Sequence, residues 1–244
     1  MVYQPRTYRN TITNVDLTRF RVVVRETDLF ISAETNLSAQ ADILAQKYYD
    51  QVDDYIKSQP EFGTSLEPLE VKACAPPIIK DMAFAGKRAG VGPMAAVAGA
   101  ISEYVGWELL NNSNEVIIEN GGDIFVKSSK ERNIMIYAGQ SKLSNRIGLR
   151  LKPDQTPCGI ATSSGTVGHS LSYGQADAVM VKSESTPMAD AFATSICNQV
   201  KTEDDIPKAL AQAQDNSGYI QGVIIIIKDK LGTWGDIELL KVFS

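Results

Sequence analysis

Apolar positions along the chain change their period several times, and the changes mark the elements. Residues 20–26 and 29–34 carry β-branched and aromatic side chains on either side of Glu26-Thr27-Asp28, which predicts a strand pair. Leu44, Ala45, Tyr48, Val52 and Tyr55 then recur at helical spacing, so residues 38–58 are expected to form a helix that opens at Ser38 and stops before Gln59-Pro60. Pro60, Pro68, Pro76 and Pro77 interrupt any period over residues 60–77, leaving a connecting segment. Residues 78–85 and 94–105 read as helices of small side chains. Ala95, Ala96, Ala98, Gly99 and Ala100 leave so little bulk that the second of these must lie against another backbone or a ligand. Strand patterns follow at 115–119, 123–127, 133–138, 147–151 and 178–182. Thr186-Pro187 opens a helix to about residue 200, since proline suits a first helical turn. A polar helix over 202–214 and strands over 219–228 and 236–243 close the chain. Strand and helix signals mix without a regular βαβ rhythm, which predicts an α+β fold with a mixed sheet-and-helix architecture. A chain of 244 residues can bury a sizeable core, as one unit of two closely joined lobes over 1–244.

Charge and composition narrow the functional classes. The formal net charge is -5 and no basic run is present, which argues against a nucleic-acid-binding surface. The longest apolar run, residues 223–227, is too short for a membrane span and has the composition of a buried strand. Met1-Val2-Tyr3-Gln4-Pro5-Arg6 has neither the basic region nor the apolar stretch of a leader, so a cytoplasmic location is expected. Cys74, Cys158 and Cys197 are widely spaced, as befits reduced thiols, and Cys197 is expected to pack as a small hydrophobe on a helix. A single histidine, His169, excludes any mechanism needing two imidazoles in one subunit.

Four segments could carry chemistry. Gly90-Val91-Gly92-Pro93-Met94 feeds a helix N-terminus, where free N–H groups suit a phosphate; it could equally be a tight loop making a close helix contact. Glu119-Asn120-Gly121-Gly122-Asp123 ends an apolar strand and reads either as a ligand-contacting turn or as a plain hairpin. Thr162, Ser163, Ser164, Gly165 and Thr166 precede His169 in a hydroxyl-rich stretch that could cradle an anion beside a general base, or form an ordinary loop. Asp190 and Thr194, one helical turn apart on one face, could offer hard oxygens to Mg²⁺, although both side chains also have local uses in a helix.

In order, these segments resemble an uncharacterised ApbE-like family, cytoplasmic, of archaea and anaerobic bacteria. That family is a distant relative of the ApbE-type FAD:protein FMN transferases. The resemblance is carried by Glu26-Thr27-Asp28-Leu29, Val91-Gly92-Pro93-Met94-Ala95-Ala96-Val97-Ala98-Gly99, Glu119-Asn120-Gly121-Gly122-Asp123-Ile124, Thr162-Ser163-Ser164-Gly165-Thr166-Val167-Gly168-His169-Ser170 and Ala189-Asp190-Ala191-Phe192-Ala193-Thr194. It implies an ApbE-like fold and binding of a flavin nucleotide, FAD or FMN, with Mg²⁺. Asn120, Gly121, Gly122, Asp123, Thr162, Ser163, Ser164, Gly165 and Thr166 would contact the cofactor. Asp190 and Thr194 would hold the metal with a backbone carbonyl, and His169 would act as the base. The implied reaction is transfer of FMN to a Thr or Ser of an acceptor redox protein, or hydrolysis of FAD to FMN and AMP, by a chain that could form a homo-oligomer. After His169 the sequence runs Ser170-Leu171-Ser172-Tyr173-Gly174, where transferases continue with an isoleucine and an Asp-Pro pair. The alternative is a non-catalytic flavin- or nucleotide-binding accessory protein of an anaerobic redox system.

Overall fold

A computed structural model describes residues 16–167 and 173–242. Strands β1 (Thr18–Val24) and β2 (Thr27–Ala33) form a hairpin, and helix α1 (Ser38–Ser58) follows with Leu44, Ala45, Tyr48, Val52 and Tyr55 all buried, as their spacing predicts. A short turn of helix, α2 (Glu61–Thr64), and the proline-rich connection lead to α3 (Pro77–Ala89). A 3-10 turn at Pro93–Ala96 then opens α4 (Val97–Leu109). Next come β3 (Val116–Asn120), β4 (Asp123–Lys127), β5 (Arg132–Met135), β6 (Ile147–Leu151), β7 (Cys158–Ser163) and β8 (Ala178–Ser183). Helices α5 (Thr186–Gln199) and α6 (Ile206–Asp215) precede β9 (Gly222–Ile227), β10 (Lys230–Gly235) and β11 (Glu238–Lys241).

The strands form an eight-stranded antiparallel sheet, in order β1-β2-β3-β4-β7-β8-β9-β10, and a three-stranded sheet, β11-β6-β5. Because side chains alternate across a sheet, each central strand of the large sheet supplies two cores. Ile118, Ala161, Val179, Val181, Val223 and Ile225 face the helices, packing with α1, α3, α4, α5 and α6. Ile117, Ile124, Ile160, Met180, Ile224 and Ile226 face the other way and pack with Ile134, Ile147, Leu149 and Leu151 of the small sheet. The result is three layers: helices, large sheet, small sheet. Burial on both faces explains why residues 223–227 are uninterruptedly apolar. The mixed α+β prediction holds, and Cys197 is buried on α5 outside any disulfide. Among the described residues no helix is long and apolar enough to cross a membrane.

Two elements depart from the sequence reading. Residues 158–163 form a strand, so the first two hydroxyls of the predicted loop, Thr162 and Ser163, stand on the sheet itself. Residues 230–235 form an edge strand despite two glycines, because β10 pairs along its whole length with the strongly β-branched β9.

Candidate functional site

The turn between β3 and β4 consists of Gly121 and Gly122, both with positive φ (70 and 113), and Asn120 is paired with Asp123 across it. Two central residues of this conformation make the tight hairpin that matches strand twist, and glycine takes it without strain. Asn120-Gly121-Gly122-Asp123 is therefore a hairpin turn, and its register decides what the flanking side chains face. Ile118 and Phe125 lie on the helix side, so Asn120 and Asp123, two positions along from each, do too. Asn120 Nδ2 donates to the Ala98 carbonyl at 3.2 Å, at the start of α4. On β7, Ser163 lies two positions from Ala161 and also faces the helices, where its hydroxyl is 3.2 Å from Thr194 Oγ1 on α5. Thr162 shares the opposite face with Ile160, although its backbone N–H is directed towards the Asp123 carboxylate and favours its charged form.

Helices α4 and α5 cap each other. Asp190 Oδ2 accepts the Gly99 N–H at 2.9 Å, and the Ala98 N–H is also directed to this carboxylate. In return Glu103 on α4 accepts the N–H of Thr186, the first residue of α5. Each acceptor lies four residues, one helical turn, beyond the N–H group its own helix exposes, so Gly99…Glu103 and Thr186…Asp190 form a symmetric pair. Contact this close needs a bare backbone: a Cβ on Gly99 would stand 2.6 Å from the Thr186 carbonyl oxygen. The small-residue helix thus packs on another backbone, one of the two outcomes its composition predicts. The preceding Gly92 is likewise pressed on backbone at Ser65, and Gly90 ends α3 in a left-handed cap, so the Gly90–Gly92 turn is the tight-contact loop and not an open anion cradle.

Asp123 and Asp190 are each at most 8% exposed. Burial pushes the Asp190 carboxyl up to about 7, against the opposing pull of the Gly99 and Ala98 N–H groups. Burial, then the charges of Asp190 and Glu119, push Asp123 well above the usual carboxylate range. Glu119 itself receives the Gly122 N–H at 2.9 Å and so braces the turn. Burial also raises Glu103, while the Thr186 N–H favours its charged form.

Of the residues predicted from sequence, Asn120, Asp123, Ser163, Asp190 and Thr194 come together on the helix side of one end of the large sheet, with Gly121 and Gly122 in the adjoining turn. Ser164, Gly165 and Thr166 are engaged within their own loop. Ser164 Oγ receives the Thr166 and Val167 N–H groups, Gly165 N–H donates to Ala176, and Thr166 Oγ1 bonds Asp177 at 3.0 Å. His169 lies outside the described residues. Gly99 and Glu103 were missed as site-building residues; the paired four-residue spacing in Gly99…Glu103 and Thr186…Asp190 is the signal that could have found them. Among the described residues, no group of three or more His, Cys, Asp or Glu side chains is arranged to hold a metal.

The fold is that of solved flavin transferases. The flavin transferase ApbE of Vibrio cholerae superposes with a TM-score of 0.62 at 15% identity, over 90% of this chain and 96% of that one. The flavinyl transferase ApbE of Pseudomonas stutzeri gives 0.57 at 14% identity, over 90% and 94%. In sequence the chain is 41% identical to the UPF0280 protein of Methanocaldococcus jannaschii, over 91% of this chain and 92% of that one. It is 40% identical to the UPF0280 protein of Methanothermobacter thermautotrophicus, over 90% and 86%. Residues 9–238 match the family described as AbpE bacteria, and the chain belongs to that family.

Proposed function

We propose that this protein binds a flavin nucleotide with Mg²⁺ where the β3–β4 turn meets α5, and transfers FMN from FAD to a Thr or Ser hydroxyl of an acceptor redox protein, or to water. The observation that carries this reading is the convergence of Asn120, Asp123, Ser163, Asp190 and Thr194, drawn from separate stretches of sequence, on one small patch. The likeness in fold to proteins titled flavin transferases supports the ligand class.

The donor set suits a hard cation. Asp123 and Asp190 are buried together with the hydroxyls of Ser163 and Thr194 nearby, and among the described residues no Lys or Arg charge is found to stabilise either carboxylate. Asp190 and Thr194 would hold Mg²⁺ with a backbone carbonyl. When bound, the metal would polarise the pyrophosphate oxygens and offset the charge that develops as AMP leaves.

The chain's own residues have distinct tasks in this reading. Asn120 and the glycine backbone of the turn would fix the nucleotide, and Ser163 would orient Thr194. Thr162 would brace Asp123 from β7, and Ser164, Gly165 and Thr166 would shape the segment leading towards His169. His169 would accept the proton of the incoming hydroxyl as its oxygen bonds to the FMN phosphorus. The P–O bond to AMP breaks and AMP leaves with the electron pair. A second reading, a cytoplasmic flavin carrier without turnover, is favoured by the departure of Ser170-Leu171-Ser172-Tyr173-Gly174 from the transferase pattern.

Incubation of the purified protein with FAD and Mg²⁺, with Asp190→Ala as control, tests both. AMP and FMN formed only by the unaltered chain support transfer or hydrolysis. Saturable FAD binding without products supports the carrier, and neither binding nor products contradicts the proposal.

A further inference from the structure

Beside the capped helices lies a concavity of about 450 Å³, lined by Tyr48 of α1, Asp81 of α3 and Glu103, Tyr104, Trp107 and Glu108 of α4. Its walls are aromatic: Tyr48 and Tyr104 meet edge-to-face at 5.1 Å, and Trp107 is 51% exposed with its ring braced on Phe125. Its polar groups are strongly one-sided. Tyr48 OH donates to Glu108 at 2.9 Å, Tyr104 OH donates to Asp81 at 2.5 Å, and the Trp107 indole N–H is directed towards Glu103. Every side-chain donor of the lining is thus turned to a carboxylate of the lining, while three carboxylates retain more acceptor positions than those donors fill. The nearest cation, Lys47, is 46% exposed and enters from the rim: it lies 3.0 Å from Glu108 and 3.3 Å from Tyr48 OH, with its ammonium 4.7 Å from the centre of the Tyr48 ring, and it makes no ion pair with Asp81 or Glu103.

We infer that this groove is a binding site for an alkyl guanidinium or ammonium group, as carried by an arginine or lysine side chain or by a free amine of similar length. Such a group is all donor, its charge matches the unfilled carboxylate oxygens, and its stem and cationic face suit the tyrosine and tryptophan rings. An anion would meet three carboxylates, and a neutral acceptor would find no side-chain donor free. The volume falls in the range of small-molecule pockets and exceeds what one such group needs. The inference does not depend on the flavin reading.

Trp107 provides the readout. In a Trp234→Phe background, which leaves Trp107 as the single tryptophan, its emission is followed during titration with N-acetyl-arginine methylamide, agmatine and the neutral isostere N-acetyl-citrulline methylamide. The expected result is a saturable change with the cations, weakened by added salt and absent with the citrulline derivative. Asp81→Asn, an exposed change that leaves Tyr104 an acceptor, is expected to weaken binding about tenfold, the scale of one charge-assisted contact. Preference for the arginine amide over agmatine would identify a protein side chain as the natural source, and the reverse a free amine; both support the site. Lack of saturation with either cation at about 10 mM, weaker than which a fragment contact has little meaning, would overturn the inference. Equal response to the citrulline derivative, or unchanged affinity in Asp81→Asn, would do the same.

Discussion

Replacement of Gly99 by alanine puts the capped helix pair to its sharpest test, because two physical effects predict opposite signs. Helix propensity alone makes alanine the better residue within α4 by roughly 1 kcal/mol. At this crossing, however, the new Cβ would stand 2.6 Å from the Thr186 oxygen, 2.9 Å from the Thr186 carbonyl carbon and 3.0 Å from Asp190 Cβ. Ordinary contact requires the helices to part by roughly 0.5–1 Å, a gap that forfeits a quarter to a half of the dispersion well at each neighbouring contact. Overpacking of this kind costs about 1–3 kcal/mol. The same movement stretches the Gly99 N–H bond to Asp190, whose full loss would leave a buried donor unsatisfied at a cost of about 1–3 kcal/mol. Net destabilisation of roughly 1–4 kcal/mol is expected once the propensity gain is subtracted. Urea titration of the metal-free protein reads this as a lower midpoint with an unchanged slope. A variant as stable as the parent, or more stable, would refute the close crossing and with it the reciprocal caps.

Further outcomes follow from the charged groups. With a folded-state value near 7 against an ordinary 3.8, Asp190 keeps its proton in the native state over a window where the unfolded chain has released it. Its contribution to stability therefore falls as pH rises from about 4 to 7, so in a chelator Asp190→Asn should be more stable than the parent at pH 8 and match it below pH 4, by thermal denaturation. Glu115 behaves in the opposite sense: burial opposes its charge, but bonds from Ser128, Ser129 and Arg132 outweigh that and hold it at about 2. Stability from Glu115 is fully present above about pH 4.5 and lost as pH falls towards 2. Glu115→Gln should also cost about 3–5 kcal/mol by leaving a buried Arg132, 3% exposed, with a weakened set of partners. Thr194→Val, which removes one hydroxyl from a half-buried position, should leave the urea midpoint nearly unchanged while weakening Mg²⁺-dependent FAD binding at least tenfold by calorimetry.

Much of the fold is visible in period and punctuation. The helix over 38–58 is marked by its buried stripe and by Gln59-Pro60, and the two-sided strand over 222–227 by its unbroken β-branched run. The strand over 158–163 is hidden because Gly159 and three hydroxyl-bearing or small positions lower its local signal, and only pairing with β4 and β8 makes it a strand. For the candidate site, residue types pointed to the β3–β4 turn and to α5, which the structure brings together, yet three consecutive hydroxyls could not be sorted by sequence. Register separates them: Ser163 faces α5, Thr162 faces the small sheet, and Ser164 turns into its own loop. The caps on α4 and α5 are long-range, joining positions 91 residues apart in the case of Gly99 and Asp190, so neither helix shows its acceptor nearby. A carboxylate that reads as a free metal ligand in sequence is also a structural cap.

Calorimetric titration of FAD into the purified protein, with Mg²⁺ and then with a chelator, addresses the central claim most directly. The site assembled from the β3–β4 turn, Ser163, Asp190 and Thr194 predicts saturable binding that requires Mg²⁺ and is lost in Thr194→Val. FAD binding of equal strength in chelator and in Thr194→Val, or no binding under either condition, would contradict it.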